Sequence, residues 1–301
     1  MNGLLIVDKP GGMTSHDVVA RVRRATGEQS VGHLGTLDPM ATGVLPLLLG
    51  KFTRLAKFFN ASEKAYAGTI RFGYATDTYD AEGQMVGEAR PVALTLDAVR
   101  AEAALFLGAS EQMPPPFSAK KINGKPAYKL AREGKTPELK PARIHVDAFT
   151  IESVDGDCAQ FAMRISAGGY VRAVAHAMGQ ARGCGAHLAS LRRTAAGPFT
   201  LEQALPLMEV ERLAGATKLE ERLVHPRKLL PEMTPVNADE QTVGRIRNGM
   251  QVNLPEYSDA AMVKIFAGQR ELVAIGKRVA GTLFHPAVVV LTAPADPAAA
   301  E

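Results

Sequence analysis

Cysteine is nearly absent from this chain, with only Cys158 and Cys184 among 301 residues and no C-x-x-C spacing between them. That argues against a disulfide framework and fits a reducing compartment. Long apolar runs are missing too. No stretch approaches the roughly eighteen uninterrupted apolar residues of a membrane span, and the run Leu4-Leu5-Ile6-Val7 is too short for a signal peptide. The expectation is a soluble, cytoplasmic protein without membrane attachment. Neither G-x-x-x-x-G-K-[ST] nor G-x-G-x-x-G occurs at a strand-to-helix junction, which disfavours nucleotide cofactors, and the lack of G-x-S-x-G leaves a serine hydrolase unsupported. Cys184-x-x-His187 and nearby His176 offer no fourth ligand with paired short spacing, so no metal is expected.

Acidic residues are the most unevenly distributed. Between Glu28 and Glu63 the sole acid is Asp38, in the run Gly32-His33-Leu34-Gly35-Thr36-Leu37-Asp38-Pro39-Met40-Ala41-Thr42-Gly43. Glycines and Pro39 make this a shaped loop, and the apolar run Val44-Leu45-Pro46-Leu47-Leu48-Leu49 should bury and fix its far end. A carboxylate with no acidic neighbour in sequence should sit ionised near neutral pH, and a bland turn or cap role competes with a catalytic one. From Cys158 to Leu201 there are arginines (Arg164, Arg172, Arg182, Arg192, Arg193) and no acid, while Phe117 to His145 is rich in lysine and arginine. Two such blocks converging in the fold would attract a polyanion such as nucleic acid. A site built to admit RNA phosphates should then tolerate one carboxylate, Asp38.

Periodicity outlines a mixed chain. A short strand (Leu4 to Val7) and a Lys9-Pro10-Gly11-Gly12 turn precede a helix from about Ser15, with Val18, Val19 and Val22 on one face and Gly27 as its stop. Tyr66 to Tyr74, Ile144 to Val154 and Phe161 to Ile165 alternate like strands, Thr95 can cap a helix, and Val171 to Met178 reads as helix. The fold class expected is α+β, a central mixed or antiparallel sheet flanked by helices. Composition changes after about Pro231: a small helix over Val236 to Gly249 precedes apolar runs at Met262 to Phe266, Leu272 to Ile275 and Ala287 to Leu291, the pattern of a compact β-rich domain. The expected domains are 1–232, 233–292 and a disordered tail, 293–301.

Further candidates lie outside the Asp38 loop. The basic run Pro114 to Tyr128, containing Phe117 and Lys120, could grip RNA or simply form a solvated loop. Arg172, following Gly168-Gly169-Tyr170-Val171, needs an anion: a phosphate, a surface acid, or Asp38.

These segments together resemble one family, the TruB-type tRNA pseudouridine synthases. The Gly32 to Gly43 run is similar to the family's G-H-x-G-[TA]-L-D-P-x-A-[TS]-G loop. Lys64-Ala65-Tyr66 resembles its K-x-Y motif, and Gly169-Tyr170-Val171-Arg172 its G-[TS]-Y-[IV]-R motif, with Gly169 replacing a hydroxyl residue. Gly183 through Leu191-Arg192-Arg193, the Pro114 to Gly134 block and the opening Asp8-Lys9-Pro10-x-Gly12-x-Thr14-Ser15 fit as well, and 237–291 resembles a PUA domain, an RNA-binding β-barrel. The resemblance implies isomerisation of uridine 55 in the tRNA T-loop after base flipping, with no cofactor or metal. It implies Asp38 as nucleophile, Arg172 as its ion-pair partner, and Tyr66 stacking on the flipped base and accepting the carbon-5 proton. His33 would help displace the T-loop, Tyr170 and Leu191 would line the uridine pocket, and Lys9 and Lys120 would complete the substrate-binding set. The T-arm of tRNA is the implied partner, and a monomer is the default. A non-catalytic tRNA-binding or tRNA-folding module is the alternative.

Overall fold

The computed structural model describes residues 1–59, 61–118, 121–122, 125–126, 139–257 and 259–291. Lys120, Tyr128 and the 293–301 tail lie outside the described residues. The larger unit contains β1 (Gly3–Lys9), α1 (Ser15–Thr26), β2 (Val31–His33), β3 (Thr42–Leu49), β4 (Lys64–Phe72), α2 (Leu96–Ala104), β5 (Gly108–Gln112), β6 (Ala142–Asp155), β7 (Cys158–Ile165), α3 (Val171–Arg182), β8 (Ala186–Ala196), β9 (Phe199–Thr200), β10 (Leu205–Pro206) and α4 (Leu207–Gly215). These ten strands form one sheet in the order β10-β1-β3-β8-β4-β7-β6-β5, with β2 on β3 and β9 on β8, while Ala75–Thr76 with Met85–Val86 and Lys121–Ile122 with Lys125–Pro126 make two short separate ribbons. The pairing is mostly antiparallel. β1–β10 and β3–β8 run parallel, so the sheet is mixed as expected.

Local signals explain the helix that matters most to the site. Thr14 caps α1 through the Asp17 amide while Asp17 reaches back to Thr14, a reciprocal box, and Gly27 ends the helix at φ 70°. Val18, Val19 and Val22 are buried against the sheet, each contributing roughly 1.5–3 kcal/mol. The helix is thereby pinned with its N-terminus pointing at the Asp38 loop.

The second sheet has the order β11-β13-β14-β15-β12, from β11 (Thr234–Asn237), β12 (Val252–Asn253), β13 (Met262–Ala267), β14 (Glu271–Ala280) and β15 (Leu283–Val289), with α5 (Glu240–Arg247) beside it. The expected helix over Val236 to Gly249 is shorter, because Thr234–Asn237 pairs in parallel with β13 and Asp239 caps the helix only after it. The two sheets share apolar contacts. Phe266, Leu272, Ile275 and Val288 bury against Leu4, Ile6, Leu48 and Phe52 of the larger unit. Lys51 Nζ and Arg54 Nη1 each donate at 2.7 Å to the carbonyls of Leu291 and Val289, tying the two units together.

Candidate active site

Asp38 sits between β2 and β3, and several backbone groups around it are held from outside the loop. Ser15, buried at the start of α1, accepts from the Leu37 amide at 2.8 Å and donates to the Leu37 carbonyl at 3.2 Å. The Pro39 carbonyl accepts from Lys9 Nζ at 3.1 Å and from the Gly12 amide at 2.9 Å. Arg193 Nη2 donates to the Gly35 carbonyl at 3.0 Å, and its Nε to the Val44 carbonyl at 2.7 Å. The opening Lys9-x-x-Gly12-x-x-Ser15 run therefore acts as a cradle for the residues flanking Asp38, whose carboxylate arrives already oriented.

The carboxylate meets Arg172, at the first turn of α3. Arg172 Nη2 donates to Asp38 Oδ1 at 3.0 Å, and Nε lies 2.9 Å from Oδ2. The same guanidinium donates to the carbonyls of Thr78 (2.8 Å) and Phe117 (2.9 Å), and Nη1 lies 3.3 Å from Asp80 Oδ2. Arg172 is fixed on every side. Its side chain is 5% accessible and that of Asp80 4%, while Asp38 keeps 33%. The nucleophile candidate alone faces outward from this network.

The expectation that the site holds a single carboxylate is wrong. Asp80 shares Arg172, and Glu82 accepts from the Met40 amide within electrostatic reach of Asp38 and Lys9. The Arg172 guanidinium and the buried Lys9 ammonium offset several acids at once. Burial raises the Asp38 carboxyl above its usual range; Arg172 opposes the rise, and the Asp80 charge adds to it. Burial lowers Lys9 to about 8, with Asp38 and Glu82 pulling the other way. Lys9 is fully buried and donates to backbone carbonyls, which makes it a support of the loop.

Tyr66 and Tyr170 come together with Asp38. Tyr66, on β4, is buried, feels the Asp38 charge and stands opposite Arg193 of β8 in the sheet register. Tyr170 caps α3, and the Gln112 side-chain amide clamps its backbone, donating at 3.0 Å to the carbonyl and accepting from the amide at 2.8 Å. Tyr170 feels both Arg172 and Asp38. Leu191 is buried on β8 opposite Gly68 of β4. His33 ends β2, its ring edge-on to His16 at 6.1 Å; burial lowers its pKa, with His16 and Arg193 adding to the effect. Gly169 has a local explanation: a Cβ there would come within 2.3 Å of Ile165 Cδ1, so the isoleucine fills the space that a hydroxyl residue takes in the usual motif.

Asp80, Glu82, Gln112 and the role of Arg193 were not visible in the sequence. Asp80 lies in the turn Thr76-Asp77-Thr78-Tyr79-Asp80-Ala81-Glu82-Gly83, which looks like any acidic surface turn. One signal was available, the dense polar punctuation before Gly83.

Gly43 offers a direct test of the loop's packing. It sits at φ 102° where β3 runs parallel to β8, and an added Cβ would lie 2.2 Å from the Arg193 carbonyl oxygen. Gly43→Ala is expected to destabilise the fold by about 3 kcal/mol, combining backbone strain with overpacking. Chemical denaturation checks this, and an unchanged midpoint would refute the close approach.

Comparison with known proteins places the chain in a family. Residues 23–171 match the family model described as TruB family pseudouridylate synthase (N terminal domain), and 172–236 that described as tRNA pseudouridylate synthase B C-terminal domain. A Solibacter usitatus protein named tRNA pseudouridine synthase B is 44% identical over 96% of this chain and 100% of its own length. A Geobacter sulfurreducens protein of the same name is 42% identical over 90% of this chain and 89% of its own. Among solved structures, a chain of a Cbf5-Nop10-Gar1 complex superimposes with a TM-score of 0.71 at 24% identity, over 96% of this chain and 85% of that one, a likeness of fold. The relatives share whole-length sequence with this chain, and the fold agrees: the chain belongs to the TruB family of pseudouridylate synthases.

Proposed function

We propose that this pseudouridine synthase acts on tRNA, isomerising uridine 55 in the T-loop, with Asp38 as nucleophile. The observation that carries the reading is the outward-facing Asp38 carboxylate, gripped at both oxygens by a buried Arg172, with Tyr66 and Tyr170 beside it. The reaction breaks the bond from the ribose anomeric carbon to N1, forms one to carbon 5, releases the carbon-5 proton and adds a proton at N1. It needs no electrons or groups from outside, so it calls for no cofactor.

Uridine buried in a stacked loop must be flipped out, at a cost of a few kcal/mol. Tyr66 offers a stacking face for the extruded base, Tyr170 and Leu191 the pocket walls, and His33 a wedge toward the vacated stack. Asp38 then attacks the anomeric carbon or the ring, and the freed base turns before carbon 5 reattaches. Residues 1–232 form the catalytic domain in this reading, and 233–292 a PUA-like RNA-binding domain. The protein works as a cytoplasmic monomer that engages the T-arm, and Lys9 supports the nucleophile loop. Among the described residues no helix is long and apolar enough to cross a membrane.

The attacking species is the carboxylate, so protonating Asp38 stops the reaction. Because burial raises this group, the rate should fall with decreasing pH through a midpoint above the ordinary value of about 3.9. A pH profile of single-turnover rates checks it; an acid limb at or below the ordinary value contradicts it.

The substrate reading is tested with carbon-5-tritiated, unmodified RNA. Tritium release from whole tRNA and from an isolated T-arm stem-loop, with none from tRNA lacking the T-arm, supports it. Release that ignores the T-arm, or binding to tRNA without release, refutes it.

A further inference from the structure

Arg193 is the largest fully buried side chain in the described chain, 1% exposed, and no carboxylate lies within ion-pair distance of it among the described residues. A buried guanidinium without an acid is unusual, because losing its hydration costs far more than neutral hydrogen bonds return. Such a charge persists where the surrounding structure uses it. Its neighbour Arg192 makes the contrast, pairing at 2.7 Å with Asp8 and staying 42% accessible.

The contacts of Arg193 join two halves of the site. One half is the nucleophile loop: its donors reach the carbonyls of Val44 (2.7 Å), Gly35 (3.0 Å) and Thr36 (3.5 Å). The other half is Tyr66. Arg193 on β8 and Tyr66 on β4 stand directly opposite each other in the antiparallel register, and the guanidinium charge acts on the phenol.

We propose that Arg193 is the positioning residue for Tyr66, holding its phenolic oxygen on the same rigid frame as the Asp38 loop. The inference rests on the reading that Tyr66 acts on the flipped base, and adds what places it there. The groups facing Tyr66 are Arg193 and Asp38, of opposite sign. Lys64 and His33 stand near Arg193 and also feel its charge. Burial raises the Tyr66 hydroxyl above its ordinary value and Arg193 opposes that rise, so the cation favours phenolate character at this one tyrosine.

The test uses the full chain in three backgrounds: Arg193→Lys, which keeps a charge, Arg193→Gln, which removes it, and Tyr66→Phe, which removes only the hydroxyl. With tyrosines labelled at the ring carbon bearing oxygen, the Tyr66 nuclear magnetic resonance signal is the one lost in Tyr66→Phe. It should titrate at higher pH in Arg193→Gln than in the wild type, and an unchanged titration overturns the pairing whether or not the protein is active. In kinetics, Arg193→Lys should lower kcat by about tenfold to a hundredfold with KM changed less than about threefold, the size expected for a reacting group displaced by about an ångström. In the Tyr66→Phe background the same substitution should cost less than about threefold. Equal losses in both backgrounds overturn the proposal and assign Arg193 to loop support alone. Arg193→Lys carries the kinetic test if Arg193→Gln fails to fold. An inactive wild type with the titration shift intact would refute the enzymatic reading while leaving the pairing in place.

Discussion

Asp38→Asn should abolish pseudouridine formation, lowering the rate by about 10⁴-fold or more, while tRNA binding stays within a few fold of the wild type. The amide is isosteric but carries no charge and cannot form the covalent bond. Its surroundings should hold their shape, because Leu37, Pro39 and Gly35 are secured by Ser15, Lys9, Gly12 and Arg193 through backbone groups. The substitution therefore separates chemistry from folding. Tritium release read beside filter binding makes the distinction, and substantial turnover in the variant would remove Asp38 from the mechanism.

Arg172→Met should be the most damaging change to the fold and the site together. It removes the common partner of Asp38 and Asp80 and leaves the Thr78 and Phe117 carbonyls without their donor. Breaking a buried ion pair from one side costs about 3–5 kcal/mol, since the remaining charge stays desolvated. Two acids without their guanidinium also repel, which raises Asp38 further and weakens it as a nucleophile near neutral pH. The expected result is a loss of stability of that size and a fall in kcat of at least about a hundredfold. Arg172→Lys should recover part of the stability and little of the rate, because an ammonium cannot address both Asp38 oxygens and Asp80 at once. Urea titration and single-turnover kinetics on both variants check this. Stability within 1 kcal/mol of the wild type in Arg172→Met, on the order of ordinary surface substitutions, would show that the network is dispensable.

What was legible beforehand follows from how local each signal is. The α1 helix could be read because its valine stripe and its glycine stop lie within about ten residues of one another, roughly three turns of helix. The β4 strand carrying Tyr66 was equally local, with bulky residues alternating along it. The Asp38 loop announced itself through glycines and the buried run after it. Apart from Arg172, which was named as a possible partner of Asp38, the groups that hold that loop did not. Arg172 is 134 residues from Asp38 and Arg193 is 158 from Gly35, and nothing in their own neighbourhoods says which carbonyls they will meet.

The error over neighbouring acids has the same origin. Absence of acids along the chain says nothing about acids across a sheet, and the turn holding Asp80 and Glu82 is brought to Asp38 through α3 and β8. Thr76 and Thr78 donate to Asp80 at 2.7 Å and 2.6 Å, which fixes that turn under Arg172. The second sheet shows a similar limit. Its strands were visible as apolar runs, but the parallel pairing of Thr234–Asn237 with β13 took residues that looked helical.

The most direct test of the account is a position-by-position map of pseudouridine in unmodified tRNA after incubation with the wild type and with Asp38→Asn. The account predicts one new pseudouridine, at position 55 of the T-loop, with the wild type and none with the variant. Pseudouridine at 55 made by Asp38→Asn, or modification by the wild type only elsewhere in the tRNA, would contradict it.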